Sequence, residues 1–144
     1  VKALINNQRG TSAVEFAIVL PLLVVFIFGI IEFGLVFYNK AMVTNASREA
    51  ARAGIVYRDP PVTAAEIQSV VDSYCGGMLV SFGSSPGAVT TVPSGECANH
   101  GDELVVNVAY RYDFLLIPDF LTAFFSGGLP GGIDVSAVTR MRCE

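Results

Sequence analysis

The sequence predicts an α+β protein with a long N-terminal helix, a short second helix and a small antiparallel sheet. Three observations carry this. Residues 16–38 hold 19 apolar residues in 23, small residues then recur at helical spacing, and two stretches near the C-terminus alternate apolar with polar. The chain has 144 residues, 52% of them apolar and 15% charged, with a mean hydropathy of +0.54. That is too apolar for a disordered segment or an ordinary soluble domain. The excess is local, so the composition reads as one membrane segment plus one small domain with a modest core.

The first element is the apolar run Phe16 to Tyr38. At about 1.5 Å per residue it is long enough to cross a hydrocarbon core of about 30 Å. Pro21 lies near its start and predicts a local bend in a continuous helix. Lys2 and Arg9 precede the run, whereas Lys40, Arg48, Arg52 and Arg58 follow it. A bare positive-inside count would place the C-terminus inside. The downstream part is a whole domain, which translocates largely regardless of charge, and its three cysteines favour an oxidising side. The N-terminus is therefore placed in the cytoplasm and the domain outside. A cleavable secretory signal is the rival reading, but the run is too long for one and the first A-x-A, Ala51-Arg52-Ala53, lies far beyond it.

The helix is expected to continue beyond the membrane to about Tyr57. Ala46, Ala50 and Ala53 or Gly54 form one small-residue face that lets a sheet or another helix approach. Asp59-Pro60-Pro61 ends the element. Thr63-Ala64-Ala65-Glu66 has the capping-box pattern and opens a second helix to about Tyr74, with Ile67, Val70, Val71 and Tyr74 inward. Cys75-Gly76-Gly77 stops it.

Residues 76–101 are rich in glycine and read as loop, with short strands at Met78–Phe82 and Ala88–Val92. In Glu103–Leu116, Leu104, Val106, Val108, Tyr110, Tyr112 and Phe114 share one face. Ile133–Met141 alternates less cleanly and is expected to pair with it. Between them, Phe120–Phe125 reads as a short apolar segment covering the sheet, with a contact surface for other subunits as the alternative. Three cysteines allow three single bridges. Cys75–Cys97 is preferred, because the two flank the loop-rich stretch and close a short loop. Cys97–Cys143 is the alternative, because neighbouring strands can bring them together. The leftover thiol is free or intermolecular.

The junction before the membrane run carries the most information. The polar stretch Asn6-Asn7-Gln8-Arg9 ends in Gly10, and Thr11-Ser12-Ala13-Val14-Glu15-Phe16 leads into the apolar sequence. A carboxylate at the edge of hydrocarbon is costly and is usually paired or functional. The plainer reading is that Glu15 interacts favourably with the helix dipole. A glycine, four residues, a glutamate and an aromatic match the type IV prepilin processing pattern. More narrowly, RGTSAVEFAIVLPLLVVFIFGIIEFG resembles the TadE/TadG-like pseudopilins of the tight-adherence (Flp) pilus, and Asn45–Gly54 continues the resemblance. It is dense over residues 9–57 and weak in the two C-terminal strands.

The resemblance implies a type IV pilin-like α+β fold and a role for each matched position. Gly10 would end a leader cut by a prepilin peptidase, so that residues 1–10 are a leader remnant, 11–38 the transmembrane helix and 39–144 the periplasmic or extracellular domain. Thr11 would become the new N-terminus. Glu15 would pair with the N-terminal amine of a neighbouring subunit and fix the register between helices, with Phe16 packing beside it. Opposite charges attract strongly at low dielectric and an unpaired one is heavily penalised, which supports the idea. Glu32, roughly 25 Å further along the helix, would meet a basic partner on a neighbouring subunit or lie at the outer interface, the latter being preferred.

Catalytic chemistry has little support. His100 is the only histidine, and Cys97-x-x-His100 supplies too few ligands for zinc. His100-Gly101-Asp102 reads as a polar turn, and Gly127–Gly132 as another. P-loop and dinucleotide motifs are absent from the sequence. The net charge of −4 with scattered basic residues argues against electrostatic nucleic-acid binding. The sequence thus predicts a non-enzymatic minor pilin or pseudopilin without cofactor or metal. It would be held in the bacterial inner membrane and then incorporated into, or used to prime, a surface pilus for adherence. The expected partners are the prepilin peptidase, other pilin subunits, the inner-membrane assembly platform and the lipid bilayer. Two rivals share parts of this pattern: a type II secretion pseudopilin, and a single-span anchor for a periplasmic binding or sensory domain.

Overall fold

The computed structural model describes residues 8–82, 89–91, 97, 99–115 and 131–143. The elements run α1 (Gln8–Gly54), α2 (Ala64–Cys75), β1 (Val89–Thr91), β2 (Glu103–Asp113) and β3 (Gly132–Arg142). The strands form one antiparallel sheet in the order β1-β2-β3; α1 packs on β2 and β3, and α2 packs against α1. This is the α+β arrangement the sequence predicts.

Helix α1 has 47 residues, about 70 Å at the standard rise. Pro21 lies inside it without ending it. From Gly10 to Ile31 no residue is buried, and Glu32 is the first that is. The second half packs through one stripe: Glu32, Asn39, Val43, Ala46, Ser47, Ala50 and Ala51 are buried, with Leu35 and Val36 partly so. The small residues at Ala46 and Ala50 admit the sheet, as their spacing predicts. The helix ends at Gly54, three residues before the expected Tyr57. At Gly54 a Cβ would lie 2.5 Å from Leu104 Cδ2 and 2.9 Å from Ile67 Cδ1. The end of α1, α2 and β2 therefore meet where only glycine fits without displacement.

Helix α2 begins with the capping box its sequence encodes. The Thr63 hydroxyl accepts from Glu66 N at 3.3 Å, and Glu66 Oε2 accepts from Thr63 N at 2.8 Å. Ile67, Val71 and Cys75 are its buried residues, an i, i+4, i+8 stripe. Tyr74, expected to face inward, is exposed. Cys75 takes that place because it lies one turn beyond Val71 on the packed face.

The β2–β3 ladder runs unbroken from Glu103↔Arg142 to Asp113↔Gly132. Leu104, Val106, Val108, Tyr110 and Tyr112 are buried, with Phe114 half-buried, so the whole predicted face lies against the helices. The weaker alternation of β3 has a specific cause. Thr139 lies on the inward face beside Val135 and Ala137, and its hydroxyl meets that of Ser47 at 2.7 Å. A polar pair thus replaces an apolar contact between helix and sheet. At Gly132 a Cβ would stand 2.5 Å from the carbonyl oxygen of Tyr112, so this ladder terminus also requires glycine. The expected strand at Ala88–Val92 forms over Val89–Thr91 and pairs with β2 at Asn107–Ala109. Met78–Phe82 is not a strand. It is held by side chains instead, as described below. Phe120–Phe125 and most of Gly127–Gly132 lie outside the described residues.

The preferred cysteine pairing is corrected. The bridge joins Cys97 to Cys143, with Cα atoms 5.6 Å apart, and Cys75 is a free, buried thiol. The sheet decides this. Cys143 N donates to Asp102 O at 2.8 Å and Gly101 N to Cys143 O at 2.9 Å, continuing the ladder past Arg142. That places Cys143 beside the Asn99–Asp102 turn, next to Cys97. Cys75 is the last residue of α2 and points into the core. His100 and Gly101 lie in this turn, and Gly101 has φ +93°.

Candidate assembly interface

The residues that the sequence marks at the junction all lie on the free half of α1. The Gly10–Thr11 peptide bond falls in the first turn of the helix, which starts at Gln8. Thr11 and Glu15 are four residues apart and so occupy one helical face. Both are exposed, and Phe16 is 62% exposed. Among the described residues, packing against the domain begins only at Glu32, so this N-terminal face is left open by the fold. An 18-residue window of this helix has a mean hydropathy of 2.8 and contains no buried residue. Its composition fits lipid or neighbouring apolar helices. In such surroundings a carboxylate at Glu15 requires an opposite charge.

Glu32, expected at the outer interface or against a neighbouring subunit, makes contacts inside its own chain. It is buried within its own chain, and its Oε1 accepts a hydrogen bond from Leu115 N at 3.1 Å. Its carboxylate also lies close enough to Tyr112 to add to the effect of burial in raising that hydroxyl's pKa above the ordinary range. The reason is geometric. Seven residues separate Glu32 from Asn39 and eight separate Asn39 from Ser47, so the three lie along the stripe that faces the sheet. Packing against the domain therefore begins at Glu32.

Asn39 is the residue that sequence reading missed. It is fully buried, its Nδ2 donates to Val80 O at 2.6 Å, and its Oδ1 accepts from Val80 N at 3.0 Å. A side-chain amide thus pairs with the backbone as a neighbouring strand would. This explains why Met78–Phe82 looks strand-like without joining the sheet. Next to it, Ser81 Oγ accepts from Asp113 N at 3.1 Å, and Phe82 N donates to Asp113 O at 3.4 Å. Lys40 Nζ donates to Ser136 O. Together these bonds clamp the lower edge of the domain to the middle of α1. The available signal was the two-turn spacing of polar residues within an otherwise apolar helix.

Comparison with known proteins bears on the same segment. No curated protein and no solved structure matches the chain. The family model described as TadE-like protein matches residues 10–52. The match starts at the glycine of the processing pattern and runs through the free half of α1 and nearly all of its packed half. Over residues 10–52, the chain is similar to the TadE-like family.

Proposed function

We propose that this protein is a minor pilin or pseudopilin of a tight-adherence pilus, stored in the membrane by the first half of α1 and assembled through it. The observation that carries this reading is the TadE-like match over residues 10–52, which coincides with an apolar helix that its own fold leaves uncovered. Cleavage after Gly10 by a prepilin peptidase would free the Thr11 amine. Glu15 of an adjacent subunit would neutralise that amine in low dielectric, where the attraction between opposite charges is strongest. Such a pair sets the axial register between parallel helices, while Phe16 and the residues beyond it pack beside it. The domain stays on the far side of the membrane, where its Cys97–Cys143 bridge persists under oxidising conditions. The role is structural, with the assembly platform and other pilin subunits as partners and adherence as the output.

The N-terminal sequence and intact mass of the native protein, measured with and without its prepilin peptidase, test this reading. A start at Thr11 that is lost without the peptidase is expected. An unprocessed start in both strains would overturn the pilin mechanism and leave a single-span anchor as the better account. Copurification with a type II secretion ATPase rather than a Tad ATPase would reassign the machine.

A further inference from the structure

We propose that the lower edge of the domain is itself a lipid-binding surface. In this proposal, Phe82 and Leu115 rest in the headgroup region of the leaflet from which α1 emerges. The inference rests on the membrane-spanning reading of α1 and adds a second membrane contact to it. The free segment Gly10–Ile31 has 22 residues, about 33 Å of helix, which matches the hydrocarbon thickness of a bilayer. The interface then falls at the level of Glu32.

The domain is tied to that level by the bonds already described. Leu115 N is held by Glu32 itself. Phe82 N is bonded to Asp113, two residues before Leu115, while Val80 is clamped by Asn39. Both side chains are partly exposed: Phe82 is 43% exposed and Leu115 45%. Phe33, Phe37 and Tyr38 are exposed on α1 within the two turns that follow Glu32, about 2–9 Å beyond it along the axis. The result is a group of aromatic and aliphatic side chains from three segments of the chain within about 10 Å beyond Glu32 along α1, a zone where aromatic groups anchor membrane proteins. Apolar groups at such a surface bury about 5–10 Å into the headgroup and acyl boundary. Lipid is the occupant the geometry selects, because the patch is continuous with the apolar helix below it. The contact fixes the tilt of the domain on the membrane while the subunit is stored.

The chain contains no tryptophan, so single substitutions report depth without background. The full-length protein is reconstituted in phosphatidylcholine vesicles as F82W, L115W, F26W and V138W. Phe26 lies in the free span, and Val138 is on the outer face of β3. Lipids brominated near the headgroup are expected to quench about half of the F82W and L115W emission, the loss expected of side chains at interfacial depth. V138W should be unaffected, and F26W should respond to lipids brominated deeper in the chain. Quenching of F26W with none at F82W and L115W would overturn the proposal and leave the span intact. An unquenched F26W would overturn both. A blue shift at F82W that grows with protein-to-lipid ratio without lipid quenching would assign the patch to a second copy of the chain, which also overturns it.

Discussion

Glu66 is held as a carboxylate by three groups at the start of α2. The backbone N–H of Thr63 contributes most, followed by the Arg58 guanidinium and the Thr63 hydroxyl. Together they lower its pKa from the ordinary 4.5 to about 2. A group whose pKa is depressed in the folded state stabilises fully above its unfolded pKa. That contribution is lost as pH falls from about 4.5 through about 2. E66Q should therefore lower Tm at neutral pH, and that deficit should shrink as pH falls through this window, flattening the acid side of a pH–Tm profile. T63A removes the N-cap itself and should cost about 1 kcal/mol in a denaturant titration.

The cysteines give a second contrast among single residues. The Cys97–Cys143 bridge spans a sequence separation of 46, which corresponds to about 4 kcal/mol in the chain-entropy model. C97S or C143S should lower unfolding free energy by about 2–4 kcal/mol, while C75S keeps the bridge. Burial raises the Cys75 thiol pKa above its ordinary value, and the Asp72 carboxylate adds to this. Iodoacetamide followed by mass spectrometry should label Cys75 only after denaturation. Rapid labelling of the native protein would show that α2 does not keep this residue in the core.

Helix α1 combines two environments that its composition blurs into one. Its packed face is defined less by apolar residues than by Asn39, Ser47 and Glu32 and by small residues that let the sheet approach. N39A removes both hydrogen bonds to Val80 and should destabilise the domain by about 2 kcal/mol. G54V drives a side chain into Leu104 and Ile67 at the point where three elements meet, and should cost about 1–3 kcal/mol. Thermal melts in detergent check both, and a variant that unfolds like the parent would remove its residue from the clamp. This division also shows what the sequence could and could not reveal. The β2 face, the Thr63–Glu66 cap and the alanine face were legible because each is a local pattern with one period. The disulfide was not, because loop length favoured Cys75–Cys97, whereas the β2–β3 register brings Cys143 to Cys97. Asn39 was invisible for a similar reason: its partner, Val80, is 41 positions away. Gly10, Thr11 and Glu15 are read from a motif alone, and the pairing proposed for them involves a second subunit.

At the scale of the whole molecule, two carboxylates bracket the free helix and answer to different surroundings. Glu32 is bonded within the chain, whereas Glu15 lies about 25 Å away along α1 on a segment with no buried residues. Sites this far apart with no shared contacts act additively. Domain stability should then depend on Glu32 and be indifferent to Glu15, with the reverse true for assembly. E32L deprives Leu115 N of its acceptor and should cost about 1–3 kcal/mol, with earlier proteolysis near residue 115 and unchanged processing at Gly10. E15L should leave the melt of the domain within about 0.5 kcal/mol of the parent, as surface substitutions do. It should still be cleaved, yet fail to enter filaments recovered by shearing. The two readouts divide cleanly. An E15L domain that melts early would mean that the free helix folds back on the domain. An E15L subunit recovered in sheared filaments would mean that register is set elsewhere along α1, with the exposed Phe26, Ile30, Phe33 and Phe37 stripe the next place to look.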